Sequence, residues 1–276
     1  MAHALSIHIG LNAVDPVHYQ GWSGPLIACE NDAHTMQRIC AGRGFTPQVL
    51  LTRDATRDAV IAAIRDAAGR LGAGDDLVIS YSGHGGQIPD TDGDESDTLD
   101  ETWCLFDGEL IDDELFALWA GFAPGVRIAV LSDSCHSGTV VKMALLSEQA
   151  PRDLPTGLLS SAGAPKAMPP EVQMRTYLAN QAFYDDIAAA ARGSAPVACP
   201  VLLVSGCQDN QLSYDGPFNG AFTGALASVF RNGAFRGTYA DLANATRMML
   251  RPDQSPNYYA VGAHDPAFEA APCFRG

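Results

Sequence analysis

Short apolar runs alternate with stripes of helical spacing along this chain, and that rhythm restricts the fold more than any other feature. Ala4 to Leu11 is an apolar run that stops at a Gly and an Asn, which predicts a buried strand. Glu30 to Gly42 carries Ala33, Met36, Ile39 and Cys40 at helical spacing and ends at Gly42-Arg-Gly44. Pro47 to Thr52 reads as a strand, and Thr56 to Leu71 as a helix with Val60, Ile61, Ile64, Ala67 and Leu71 on one stripe. Asp76 to Ser82, Arg127 to Ser132 and Pro200 to Ser205 are further strands, and Tyr258 to Gly262 is a sixth. Ala221 to Arg231 and Tyr239 to Leu250 read as helices. Repeated strand–helix–strand order predicts an α/β fold, with a mostly parallel central sheet of about six strands and helices on both faces. Such sheets carry their sites at the carboxyl ends of strands. Gln87 to Glu101 and Met143 to Pro170 lack this periodicity; the second is rich in Ala, Pro, Gly and Ser and reads as a loop or insertion.

Two of these strand ends carry chemistry. Tyr81-Ser-Gly-His-Gly-Gly-Gln87 follows the third strand and Leu131-Ser-Asp-Ser-Cys-His-Ser-Gly138 the fourth. If the two strands are neighbours, His84 and Cys135 share one edge of the sheet. Only a thiolate attacks a carbonyl well, and a neighbouring imidazole can take its proton and return it to a leaving amine. Glycines beside His84 leave backbone N–H groups open, so Gly85 and Cys135 could offer theirs to a tetrahedral oxyanion. His136 adjoins the nucleophile but points away from it on a turn, and reads as structural. Cys207 reads as an ordinary buried thiol.

Composition narrows the function. The chain has 276 residues, enough for one domain, and 47% of them are hydrophobic. Lys plus Arg number 17 against 32 Asp plus Glu, a formal charge of -15, which argues against a nucleic-acid-binding surface. No apolar run is long enough to span a membrane, and the first ten residues read as a strand rather than a signal peptide. We therefore expect a cytoplasmic protein with reduced cysteines; none of the seven falls in a CxxC pair.

Ser82-Gly-His-Gly85 and Asp133-Ser-Cys-His-Ser-Gly138, with His 51 residues before Cys, resemble the His and Cys motifs of metacaspases. The likeness continues in Cys29-Glu-Asn-Asp-Ala33, the acidic stretch Gln87 to Glu95 with Asp100-Glu101, Ile111-Asp-Asp-Glu-Leu115, Ser205 to Gln211, and Gly220-Ala-Phe-Thr223. The resemblance implies a caspase-like three-layer sandwich of the compact bacterial type called orthocaspase, forming one catalytic domain over 1–276. Residues 1–142 would bear the His and Cys, 143–198 would be a linker, and 199–276 a smaller part.

It further implies a cysteine endopeptidase with His84 as general base and acid and Cys135 as nucleophile, cleaving after Arg or Lys. Carboxylates in the specificity pocket would supply that preference through charge-assisted bonds to the basic side chain. Asp133 stands two residues before the nucleophile, Asp32 follows the first strand at the same edge, and Ser82 could add a hydroxyl. An N-capping role is the competing assignment for Asp32. Self-cleavage in the linker would use Lys142, Arg152, Lys166, Arg175 or Arg192. The chain would be a monomer acting on proteins or peptides, without nucleic-acid or membrane partners.

Calcium activation is implied through Asp100, Asp112 and Asp113, although Lys142 stands near a position where the family often has an aspartate, which would weaken such a site. Asp90, Asp92, Asp94 and Glu101 match EF-hand positions, but Glu95 occupies the glycine position and no helix pair flanks the loop, so an EF-hand is rejected. Two alternatives stay open: a catalytically silent caspase-fold binding module, and a flavodoxin-like small-ligand binder, which would lack the usual phosphate loop after its first strand.

Overall fold

The computed structural model describes residues 3–89, 99–135, 163–191, 195–207 and 211–275. Six strands form the central sheet: β1 (Ala4–Gly10), β2 (Thr46–Leu51), β3 (Asp76–Ser82), β7 (Arg127–Asp133), β8 (Pro200–Ser205) and β9 (Asn257–Gly262). Their order across the sheet is β2-β1-β3-β7-β8-β9, parallel except for the β8–β9 pair. The α/β architecture expected from the strand–helix rhythm is present, with helices on both faces.

Alternation along the central strands explains the two cores. Leu77, Ile79 and Tyr81 of β3, with Ile128 and Val130 of β7, face one side with residues of α2 (Arg57–Arg70) and α3 (Asp112–Trp119). Val78 of β3, with Ala129 and Leu131 of β7, face the other, against α1 (Cys29–Ala41), α6 (Ala221–Phe230) and α7 (Tyr239–Arg247). Strands apolar on both faces are buried on both, as parallel sheets require. Local signals set the helix starts: Thr56 Oγ1 accepts the Ala59 N–H at the head of α2 (3.2 Å), and Thr238 and Asp241 form a reciprocal box at the head of α7.

The structure adds elements that the periodicity did not predict. β4 (Gly85–Pro89), β5 (Leu99–Leu105) and β6 (Gly108–Ile111) form a separate antiparallel sheet, so the aperiodic stretch Gln87 to Glu101 contains strand at both ends. The stretch 143–198, expected to be a linker, contains α4 (Pro170–Ala179) and α5 (Gln181–Ala191). Their inward faces are short: Val172, Thr176 and Tyr177 on one, Tyr184 and Ala188 on the other. A final short helix, α8 (Pro266–Glu269), starts on an Asp265 cap. No described helix is long and apolar enough to cross a membrane.

Candidate active site

The carboxyl ends of β3 and β7 lie side by side, Ser82 paired with Asp133, and the loops leaving them carry His84 and Cys135. The loop after β3 is tied down by Tyr81, whose hydroxyl donates to the His84 carbonyl (2.7 Å) and the Cys104 carbonyl (3.1 Å). The Tyr81 ring stacks on Trp103 with centroids 4.6 Å apart, and Trp103 Nε1 donates to Ser132 Oγ at the end of β7 (3.1 Å). These contacts lock the two strand ends together. Gly85 is required by close approach: a Cβ there would collide with the Cys135 carbonyl.

Both candidate reacting groups are buried. His84 Nε2 hydrogen bonds with the Gly24 carbonyl (3.1 Å), and Trp22 lies against the imidazole at 4.7 Å between centroids. Nδ1 has no partner among the described residues. Burial pushes His84 down to about 4, against the opposing pull of the Gly24 backbone, so the ring is neutral at neutral pH. Cys135 Sγ donates to the Ser213 carbonyl (3.1 Å), and the Ser213 N–H points back at the sulfur (2.6 Å). The thiol in this structure is thus turned to Ser213, not hydrogen bonded to the imidazole.

A segment of the chain lies across this site. Residues 163–168 run between two backbones, bridged at Pro165 and Ala167 and bent at Lys166. On one side Lys166 N–H donates to the Ser213 carbonyl (3.0 Å) and Asp215 N–H donates to the Ala164 carbonyl (2.8 Å), with Pro165 opposite Tyr214 in an antiparallel bridge. Pro165 occupies the non-hydrogen-bonded position, where its missing N–H costs nothing. On the other side the Lys166 carbonyl accepts from the N–H groups of both Gly85 and Cys135, each at 3.0 Å. Asp215 anchors this arrangement by accepting from the Ile27 and Ala28 N–H groups at the head of α1 (2.7 and 3.1 Å).

The Lys166 side chain fills an acidic pocket. Its Nζ lies 3.0 Å from Asp32 Oδ2, 3.0 Å from Asp133 Oδ2 and 2.9 Å from Ser82 Oγ, and the side chain is fully buried. All three residues singled out from the sequence as pocket candidates meet on this one ammonium. Asp32 lies in the first turn of α1, past the cap position at Ala28, and makes no capping bond, which corrects the N-cap assignment. Its oxygens accept instead from Ser82 Oγ (2.7 Å), Asn219 Nδ2 (2.8 Å) and Gly220 N–H (2.9 Å). Asp133 accepts from Ser213 Oγ (2.6 Å) and from Thr223 Oγ1 (2.8 Å) and N–H (3.2 Å). Burial alone would lower the Lys166 ammonium, but Asp133 and Asp32 hold it charged, well above the usual lysine range. Burial raises Asp32 above the usual carboxylate range, with Lys166 opposing.

Ser213, Asn219, Gly220 and Thr223 are pocket residues that sequence reasoning did not single out. Gly220-Ala-Phe-Thr223 was visible as part of the resemblance, but nothing in its spacing said that it faces Asp133. A Cβ at Gly220 would strike the Lys166 ammonium, so the pocket needs glycine there. Cys207 is buried, its Sγ donating to the Ser134 carbonyl (3.4 Å). Asp100 is buried in β5, and Asp112 and Asp113 sit in the first turn of α3, where the Asp113 N–H bonds to Asp112 Oδ1 (3.0 Å). Among the described residues no three His, Cys, Asp or Glu side chains converge as a metal site. His136, Lys142, Arg152, Arg192 and the acids at 90–95 lie outside the described residues; Arg175 is exposed on α4.

Comparison with known proteins places this geometry in context. Residues 13–274 match the profile of the peptidase family described as Caspase domain. The chain is 31% identical to Metacaspase-1 of Yarrowia lipolytica over 90% of its own length and 60% of the relative's. It is 30% identical to Metacaspase-1 of Mycosarcoma maydis, covering 90% of this chain and 69% of that one. The chain thus spans about 60% of the length of the first of these relatives. The crystal structure of protein GSU0716 from Geobacter sulfurreducens superposes with a TM-score of 0.87 at 52% identity, covering 99% of this chain and 98% of that one.

Proposed function

Because this chain belongs to the caspase-domain family, we propose that it is a cysteine endopeptidase that cleaves after Lys or Arg, and that its first substrate is its own Lys166–Ala167 bond. The observation that carries the reading is the posture of Lys166: ammonium between Asp32 and Asp133, carbonyl on the N–H groups of Gly85 and Cys135. A lysine serving only as a buried counter-ion has no need to present its carbonyl to two converging N–H groups beside a cysteine.

The chemistry follows from those contacts. The thiol rotates from Ser213 toward the Lys166 carbonyl, and the neutral His84 imidazole takes its proton. Sulfur attacks the carbonyl carbon, and the oxyanion forms on the Gly85 and Cys135 N–H groups, a donor pair whose single removal typically costs about 10²–10³ in rate. His84 then protonates the Ala167 nitrogen as the C–N bond breaks. Water, deprotonated by the same imidazole, hydrolyses the thioester and frees Cys135. Once the Lys166 side chain withdraws, the two carboxylates face an emptied pocket, and a basic side chain of another polypeptide takes its place. A monomer suffices for every step. Calcium activation remains part of the proposal and is read by running the same assays in chelator and in millimolar calcium.

The test is selectivity in trans. After self-cleavage, peptides with Arg or Lys before the scissile bond should be cut at least about 10³-fold faster than the Asp counterpart, because Asp would set a third carboxylate in a buried acidic pocket. An Arg-derived chloromethyl ketone should alkylate Cys135. Equal cutting after Asp would remove the acidic-pocket assignment, and a folded protein that neither cuts nor reacts at Cys135 would be a silent binding module.

A further inference from the structure

The residues after Lys166 are held as firmly as those before it. Ala167 lies in parallel register with Gly85 and packs among Cys135, Cys207 and Leu212. Met168 donates its N–H to the Gly85 carbonyl (2.8 Å) and is fully buried. Its side chain enters an apolar pocket of Val14, Tyr19, Trp22 and Cys104, closed from α4 by Val172. Gly86 keeps one wall bare: a Cβ there would stand 2.7 Å from Met168 Cε.

Most of this pocket belongs to the body of the enzyme. Val14, Tyr19 and Trp22 lie between β1 and α1, pinned by the Tyr19 hydroxyl on the Leu105 carbonyl (2.7 Å) and by Val14 N–H on the Ser23 carbonyl (3.0 Å). Cys104 donates its N–H to the His84 carbonyl (3.0 Å), and Trp22 packs on the His84 ring. The pocket therefore abuts the loop that carries the candidate base, and it receives the second residue past the bond that the acidic pocket selects.

We propose that this pocket is a substrate subsite, so that the enzyme reads a long, flexible apolar side chain two residues after the scissile bond. The substrate class becomes Lys or Arg, then a small residue, then Met or Leu. The inference rests on the reading of Lys166–Ala167 as the scissile bond. A thioether side chain with three rotatable bonds suits an irregular cavity, and Leu is the conservative replacement.

The experiment has two arms. In trans, the self-cleaved enzyme is given internally quenched peptides that share Pro-Lys-Ala-Xaa, with Xaa as Met, Leu, Ala or Asp. The kcat/KM for Leu should lie within about threefold of Met, Ala should fall about tenfold, and Asp about a hundredfold, as expected for an apolar pocket left partly empty or made to take a charge. In cis, Met168→Ala should slow self-cleavage about tenfold and Met168→Leu should restore it. A flat trans series with efficient cutting after Lys overturns the subsite and leaves the peptidase reading intact, even if Met168→Ala is slow in cis, because Met168 would then only anchor α4. Absence of cutting after Lys in every peptide overturns the subsite as a place for substrate, and a wild-type chain that also leaves its own Lys166–Ala167 bond whole removes the peptidase reading with it.

Discussion

Replacing Asp133 with Asn should lower kcat/KM on Arg and Lys peptides by about 10³-fold and slow the cut at Lys166–Ala167, while leaving Cys135, which is buried before that cut, as reactive to iodoacetamide as in the uncut Lys166→Ala protein. The size follows from what Asp133 touches. Its Oδ2 meets the Lys166 ammonium at 3.0 Å in a fully buried site, and its oxygens also accept from Ser213 Oγ and Thr223. An amide keeps the shape but removes the charge, and its NH2 must turn toward one of those donors. Losing one partner of a buried ion pair typically costs about 3–5 kcal/mol, and about 1.4 kcal/mol corresponds to each factor of ten. The strand-end geometry around Cys135 does not depend on the charge, so the thiol should stay reactive. Unchanged cleavage after Arg would show that the pocket does not draw its selectivity from Asp133.

The second large effect is expected from Lys166→Glu. A carboxylate in place of the ammonium would face Asp32 and Asp133 at the 3.0 Å separations now occupied by attraction. Each such pair contributes about 5 kcal/mol of gross Coulomb energy at an effective dielectric of about 20, so the reversal of sign expels the side chain rather than bending the pocket. Cleavage between residues 166 and 167 should fall at least about 10³-fold. The vacated pocket should also accept an Arg peptide at once, whereas the wild type shows a lag that lasts until its own segment is cut. Lys166→Arg should keep both the cut and the lag. A Glu variant that self-cleaves at the wild-type position and rate would separate Lys166 from the specificity pocket.

What the sequence made legible follows physical lines. β1, β3, β7 and β8 are buried on both faces, so they stand out as mostly apolar runs; the loops leaving β3 and β7 carry His84 and Cys135, and the segment after β1 leads to Asp32 in the first turn of α1. β4 escaped because it begins with two glycines and runs into an acidic stretch, which hides any alternation. α4 and α5 escaped because their buried faces are narrow and their flanks are rich in Ala and Pro. Asp32 and Asp133 could be found from strand ends alone. Ser213, Asn219 and Thr223 could not, because their approach to those carboxylates spans 80 or more residues of chain. Lys166 was visible only as one of five basic residues near the linker; the choice among them depends on which one the fold brings to the pocket, and pairing with Ser213, Asp215 and Gly85 makes that choice.

The account turns on whether the chain cuts itself where Lys166 is seated. Intact-mass spectrometry of the wild type beside Cys135→Ala, incubated under the same conditions, addresses this directly. Self-cleavage at the seated lysine gives two wild-type fragments, 1–166 and 167–276, parted between Lys166 and Ala167, and the variant gives a single uncut mass. A wild type that stays whole, or a Cys135→Ala protein that yields the same two fragments, would contradict it.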